Sequence, residues 1–345
     1  MTVNQQIIQQ EIMSQYEIIP VVNIETISIG LIHQSFCLST ENGDRYILQG
    51  LHHLLSTDEI LADYEAVTNH LHSQHYGGPR LIKTKKQNRV AEAQGLRWRL
   101  STFVPGTTYT SVESSDQAYI GGQALAKFHT VMSTIDYQFK SKHLGHNTSA
   151  HLQNLLRVSQ QKEYASEWAK ISDLGENILS SLEENLLPTE LKQIVVHGDP
   201  KISNLRFQDS SAIMIDLDTC SRHTRLVDLG DAVRSWCQEP SSEQEPSFSF
   251  ERWQALVKGY MSHSGSLSAL ELECLPRAGY VITLELASRF AKDYLEDHYF
   301  AYDAQLYPNR KAHNQARLQA MWSLAQDMKA HFGRMDDYIS TLMSH

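Results

Sequence analysis

Two short apolar runs, Ile194-Val195-Val196 and Ala212-Ile213-Met214-Ile215, each end in a burst of polar residues, so that the segment reads VVHGDPKISNLRF and then AIMIDLDT. Runs this short suit buried strands better than helices, and the segment predicts a small hairpin unit that presents polar side chains at its strand ends. Such a unit cannot bury itself and needs helices around it. The sequence beyond Ser111 supplies them, with apolar residues at helical spacing over 116–133, 149–187, 249–264, 268–299 and 312–342.

The first hundred residues have a different texture. From about Glu25 to Val104 the pattern is of strands interrupted by one helix. The segment His33 to Leu51 alternates on both sides of Asn42-Gly43, a pair that tolerates positive φ and so favours a tight hairpin. Ser56-Thr57-Asp58-Glu59 offers a capped helix start, and Ile60, Leu61, Tyr64, Val67 and Leu71 recur on one face as far as about Gln74, before Gly77-Gly78-Pro79 ends the helix. A second hairpin is expected from Arg89–Ala93 and Leu96–Phe103, turning at Gln94-Gly95. Val104-Pro105-Gly106 reads as a connector, which divides the chain into units 1–104 and 105–345. The fold class expected is α+β and bilobal: a five-stranded antiparallel sheet with one helix, then a mainly helical lobe carrying the small polar hairpin. The Ser/Glu/Pro-rich stretch 239–248 reads as a loop.

Composition removes several classes of function. A chain of 345 residues with 41% in the hydrophobic class can bury two packed units. Its formal charge of -10 argues against a surface that binds phosphate backbones, so nucleic acid is not expected as a partner. Cys37, Cys220, Cys237 and Cys274 lie far apart with no C-x-x-C pair, which fits a reducing compartment and no structural zinc. The first residues lack a basic start and an apolar core, and no stretch is long enough to span a bilayer. A cytoplasmic protein without a membrane partner is expected, as a monomer or homodimer. The 17 histidines show no H-E-x-x-H spacing.

Phosphoryl transfer asks a protein for little covalent work: it needs a positioned acceptor and cations to neutralise phosphate oxygens. In a kinase catalytic loop an Asp accepts the proton of the attacking hydroxyl, an Asn binds magnesium, and a second Asp after the next strand binds magnesium at the phosphates. Here His197-x-Asp199 followed by Asn204 has that D-x-x-x-x-N spacing, and Asp216 supplies the second carboxylate. The reading calls for ATP and Mg2+. A rival from another class takes Asp216-Leu217-Asp218-Thr219 as the nucleophile motif of a haloacid-dehalogenase-type phosphatase. Cys220 departs from that motif, the helical remainder does not supply its α/β domain, and the His197 to Asn204 stretch is left unexplained.

Taken together, HGDPKISN, IDLD and RLVDLGDAVR resemble the aminoglycoside phosphotransferase and choline kinase group, whose fold is protein-kinase-like. Within it the chain is most similar to the N-acetylhexosamine 1-kinase branch, through YILQGLHH at 46–53, STFVPGTTY at 101–109, ALAKFH at 124–129, ELASRFAKDYLEDHYF at 285–300 and His313-Asn314-Gln315-Ala316-Arg317. The resemblance implies transfer of phosphate from ATP to the anomeric hydroxyl of an N-acetylhexosamine, with Asp199 catalytic and Asn204 and Asp216 on the metal. It places Asp218 where protein kinases have the glycine of D-F-G, either in the outer shell of the metal or as the cap of the next turn. His197 would orient the loop, and Asp228 and Asp231 would brace it. Thr102, Phe103 and Val104 would form the adenine hinge, and Arg289, Asp293, Tyr294, Asp297 and Tyr299 the region of the acceptor.

Two departures bear on the nucleotide. Gln49 stands where kinases carry a strand lysine, and Gly50 follows where the branch often has a basic residue. The phosphate-covering loop Gly30-Leu31-Ile32-His33-Gln34-Ser35 has one glycine, and Glu65 is the helix residue that would partner the absent lysine. Acceptors such as choline, homoserine, a thio-sugar or an aminoglycoside stay open, as does a nucleotide-binding pseudokinase without catalysis.

Overall fold

The computed structural model describes residues 5–27, 33–141, 145–239, 246–263 and 267–343. Helix α1 (Gln5–Ile7) leads into a wide turn at Ile8–Ile12, followed by β1 (Val21–Ile27), β2 (Gln34–Thr40), β3 (Arg45–Gly50), α2 (Asp58–Ser73), β4 (Leu81–Ile82), β5 (Ala91–Ala93) and β6 (Leu96–Thr102). The strands form one antiparallel sheet of six in the order β1-β2-β3-β6-β4, with β5 also paired to β6. The sequence predicts five; β4, only two residues long, cannot show an alternation. Both expected hairpins form, with Gly43 at φ 88 and Gln94 and Gly95 at φ 54 and 73, the left-handed backbone a tight turn requires.

The two faces of this sheet are buried differently. On one, Leu38, Leu48, Trp98 and Leu100 pack with Ile8, Ile12 and Tyr16, so the Gln-rich N-terminus is a cover for the sheet. On the other lies α2, started by Thr57 Oγ1 accepting from the Ile60 amide at 3.4 Å. Its Tyr64, Val67 and Leu71 belong to the same core as Leu205, Met214 and Leu217 of the second lobe. That shared core clamps the lobes together across the cleft.

The second lobe contains α3 (Ser115–Met132), α4 (Thr148–Ser159), α5 (Ala165–Trp168), α6 (Ser172–Glu184), β7 (Gln193–Val196), β8 (Leu205–Gln208), β9 (Ser211–Met214), β10 (Ser221–Thr224), α7 (Arg225–Trp236), α8 (Phe250–Met261), α9 (Ala269–Glu296), α10 (Arg310–Ala330) and α11 (Phe332–Met343). Here the structure corrects the expectation in three places. The helix expected over 149–187 is three helices, folded so that the Trp168 ring lies on the backbone of Gly175. The one expected over 312–342 breaks at His331, where Phe332 turns to pack edge-on against Tyr280. Helix α7 is unforeseen: Leu226, Leu229, Val233 and Trp236 make a buried stripe that two intervening aspartates, Asp228 and Asp231, disguise.

The central polar unit is also two small sheets and not one hairpin, β7 with β10 and β8 with β9. Helix α9, whose Ile282 packs with Ile194 and Val196 of β7, is opened by a capping box between Ser268 and Glu271. Of the stretch 239–248, residues 240–245 lie outside the described residues. Among the described residues no helix is long and apolar enough to cross a membrane, and all four cysteines are free thiols.

Candidate active site

Strand β7 ends at Val196, and the next residues are held by one carboxylate. Asp228 on α7 accepts from the amides of His197 at 2.6 Å and Gly198 at 2.8 Å, and its Oδ2 lies 2.8 Å from His129 Nε2. Burial would raise the Asp228 carboxyl, but His129 and the loop amides hold it below the ordinary aspartate range. Gly198 has φ +83 and a Cβ there would lie 2.4 Å from the Thr219 carbonyl, so only glycine fits. His197, wholly buried, accepts from the Asp199 amide at Nδ1 (3.3 Å) and its Nε2 donates to the Ile215 carbonyl (2.8 Å). It therefore ties the loop to the strand end before Asp216, as the motif reading expects. Asp231 does not brace the loop; its Oδ1 takes the guanidinium of Arg234 at 2.7 Å.

The loop brings two of the expected groups, Asp199 and Asn204, together. Asn204 Nδ2 donates to the Asp199 carbonyl at 2.8 Å and to Asp199 Oδ2 at 3.2 Å, which turns Asn204 Oδ1 away from that aspartate. Lys201 Nζ lies 2.5 Å from Asp199 Oδ2, a contact that the HGDPK motif, although it contains the lysine, does not by itself signal. Burial lifts the Asp199 carboxyl above the ordinary aspartate range, against the lowering pull of Lys201. Asp216 follows β9 in a left-handed conformation, φ 63, with its side chain exposed.

One carboxylate and one amide oxygen are hard donors, too few to cage a metal, and among the described residues no group of three or more His, Cys, Asp and Glu forms such a cage. That donor set suits a magnesium-like ion whose remaining ligands are phosphates and water.

Asp218 is engaged elsewhere. Its two oxygens take Nη1 and Nη2 of Arg99, the latter at 2.7 Å, and His33 Nε2 lies 3.4 Å away. Burial opposes ionisation of Asp218, yet the Arg99 charge holds it well below the usual carboxylate range. Both of its oxygens thus face protein cations, and Asp218 ties the turn after β9 to β6. Gln49 accepts from the same guanidinium at 2.8 Å. Gly50 faces the Trp98 ring, where a Cβ would lie 2.9 Å from the indole, and that contact excludes a basic side chain after Gln49. Glu65 pairs with Lys83 and Arg89 at 2.6 and 2.5 Å and does not reach β3. Of the loop 30–35, residues 30–32 lie outside the described residues.

The connector and the end of α9 are largely committed to the fold. The Phe103 amide donates to the Arg45 carbonyl at 3.1 Å, the Val104 carbonyl accepts from Arg206 Nε at 3.0 Å, and Thr102 Oγ1 accepts from the Arg80 amide at 2.9 Å. Asp293 is buried and accepts from the amides of His298, Tyr299 and Phe300 and from Asn314. It caps α9 and has no oxygen left for an acceptor. Tyr294 donates to Glu167 at 3.2 Å, Asp297 pairs with Arg310 at 3.4 Å, and Tyr299 is 60% exposed. Arg289, half-buried, stacks over Phe300 at 5.6 Å. Nearer the loop, Arg234 lies in the reach of Asp231, Asp199 and Glu285, whose charges keep its guanidinium ionised against burial. Glu285 in turn accepts from Thr148 at 2.6 Å and sits 2.9 Å from His146 Nδ1.

A model of the phosphotransferase enzyme family matches residues 23–253. Solved structures similar in fold include the amicoumacin kinase hAmiN in complex with AMP-PNP, Ca2+ and Ami, at 15% identity and TM-score 0.64 over 98% of this chain and 93% of that one. The microcompartment-associated aminopropanol kinase is 15% identical with TM-score 0.63, covering 96% of this chain and 99% of that one. An aminoglycoside phosphotransferase from Alicyclobacillus acidocaldarius is 13% identical with TM-score 0.60, covering 96% of each chain. At these identities the likeness is one of fold, and the fold is the kinase-like bilobal one.

Proposed function

The chain belongs to the phosphotransferase enzyme family, and on that premise we propose that it transfers the terminal phosphoryl group of ATP to the anomeric hydroxyl of an N-acetylhexosamine. ATP lies between the lobes 1–104 and 105–345, with adenine beside Thr102 to Val104. Asp199 accepts the hydroxyl proton, and Asn204 Oδ1 and Asp216 hold a magnesium ion, which neutralises charge on the phosphates when bound. The observation that carries the reading is the joined set of Asp199, Lys201 and Asn204 on one loop, with the carboxylate of Asp216 exposed after the adjoining strand.

The acceptor is proposed to sit over α7 and the middle of α9, near Asp231, Arg234, Glu285 and Arg289. This lies one to three turns before the end of α9, where the Asp293 carboxylate is taken up by three amides and Asn314. A cationic acceptor such as choline calls for carboxylates and an aromatic box. The groups here alternate in sign, Lys201 beside Asp199 and Arg234 beside Asp231. Such pairs suit a neutral polyol with donors and acceptors on adjacent carbons.

The test is ADP release from magnesium ATP against N-acetylglucosamine, N-acetylgalactosamine, glucose, galactose, choline, homoserine and kanamycin, with Asp199→Ala as the blank. Turnover confined to the acetamido sugars is expected. Turnover on choline or kanamycin alone would replace the sugar assignment, and bound nucleotide with no turnover on any acceptor would favour a binding role.

A further inference from the structure

Kinase-like folds place a lysine on the third strand of the first lobe to meet nucleotide phosphates, and brace it with a helix glutamate. In this chain β3 offers Gln49, and Glu65 of α2 is spent on Lys83 and Arg89. The cation of this region arrives from the next strand. Arg99 is the direct partner of Gln49 in the β3–β6 register, so their side chains leave the sheet on the same face, with Cβ atoms about 5 Å apart. The Arg99 side chain is 1% exposed, and its guanidinium lies over the Tyr64 ring of α2 at 3.7 Å. From there it grips both oxygens of Asp218 and donates to Gln49 Oε1 at 2.8 Å.

Asp218 follows Asp216 by two residues, and the left-handed backbone of Asp216 must be held from outside, because a non-glycine residue at φ 63 is costly. A two-pronged Arg–carboxylate pair fixes distance and plane together, which a lysine ammonium cannot do. His33 Nδ1 accepts from the His52 amide at 3.1 Å, which leaves Nε2 to face Asp218 and close the second side of the grip.

We infer that Arg99 is a positioning residue for phosphoryl transfer: the cation of the strand lysine has moved to β6, and its grip on Asp218 sets the turn from which Asp216 meets the nucleotide-bound divalent ion. The inference rests on the assignment of Asp216 to that ion. It makes the contact between sheet and turn, and not a Lys–Glu pair on α2, the feature that decides whether the metal side of the site is assembled. Gln49 is then no defect of the site, because its amide orients the arginine that replaces the lysine.

The test is calorimetric titration of ATP with and without Mg2+, and of AMP as a control without the outer phosphates. The proteins are the wild type, Arg99→Lys, the double variant Arg99→Gln with Asp218→Asn, Asp216→Ala, and Glu65→Gln. The double variant removes both buried charges at once, so neither is orphaned. Arg99→Lys and the double variant are expected to lose roughly 10- to 100-fold of the magnesium-dependent gain in ATP affinity, the range for residues that orient a metal ligand. AMP affinity stays as in the wild type, and Glu65→Gln keeps the full gain. The positioning role is overturned if the double variant keeps the gain while Asp216→Ala loses it, if AMP binding falls along with that of ATP, or if Glu65→Gln loses as much as Arg99→Lys. An Asp216→Ala protein that keeps the gain would remove the metal assignment itself, and this inference with it.

Discussion

The ammonium of Lys201 lies 2.5 Å from Asp199 Oδ2, on the carboxylate that the loop presents to the cleft. Asp199 is thereby subject to opposed influences, burial lifting its carboxyl and Lys201 lowering it. A general base is most useful when ionised yet not too weakly basic, and in the role proposed for Asp199 this pair would set that balance.

Replacing the proposed base is the first check. Asp199→Ala should lower kcat by roughly 10²- to 10⁴-fold, the range for a positioned general base, with nucleotide affinity nearly unchanged. Steady-state kinetics and calorimetry read the two quantities separately, and near-normal turnover would remove Asp199 from its role.

The pH dependence follows from the same pair. Asp199 must be deprotonated to accept a proton, so kcat/KM falls as pH drops through its raised pKa, above the usual aspartate value of about 3.9. Lys201→Met removes the lowering charge, and the acid limb of the profile should move to higher pH. A limb that stays in place, or moves down, would show that Lys201 does not act on Asp199.

Asp228 links the loop to stability. Asp228→Ala leaves the amides of His197 and Gly198 without their acceptor and should cost roughly 3–5 kcal/mol in denaturant unfolding, the range for breaking a buried pair. Because its pKa is depressed in the folded state, its contribution is present above about pH 4 and fades as pH falls through the folded value. Asp228→Asn, which retains an acceptor oxygen, should cost less and show a flatter acid dependence.

Gly50 offers a control on the nucleotide side. Gly50→Arg puts a Cβ against the Trp98 ring, 2.9 Å away, and should destabilise the first lobe by about 1–3 kcal/mol, as overpacking does, without improving ATP affinity. Tighter ATP binding by a protein of unchanged stability would contradict the placement of the cation on β6.

On the acceptor side, Arg234→Met should raise KM for the acceptor while Tyr299→Ala leaves it unchanged, since Arg234 lies in reach of Asp199 and Tyr299 is exposed beyond the α9 cap. Equal effects from both would return the acceptor to the end of α9.

What the sequence determined alone is whatever depends on neighbours along the chain. Asn42-Gly43 and Gln94-Gly95 sit at the two hairpin turns because positive φ is a local demand. The core face of α2 follows from the spacing of Ile60, Leu61, Tyr64, Val67 and Leu71, all buried. The spacing of Asp199 and Asn204 places both on one short loop, where a side-chain amide can reach the backbone five residues away. Breaks at Trp168 and His331 left no such mark, because helical periodicity runs on through a kink that packing imposes.

Only the tertiary structure decided which side chains complete the site. Arg99 and Asp218 are separated by 119 positions and meet because β6 pairs with β3 while α2 docks the sheet on the second lobe. Asp293 matched a region expected to hold the acceptor, yet the chain doubling back after α9 brings three amides and Asn314 onto its oxygens. A charged residue in a sequence carries no sign of its partner. Its role depends on whether burial removes its water and which opposite charge or amide takes water's place, and that is settled only when distant segments pack.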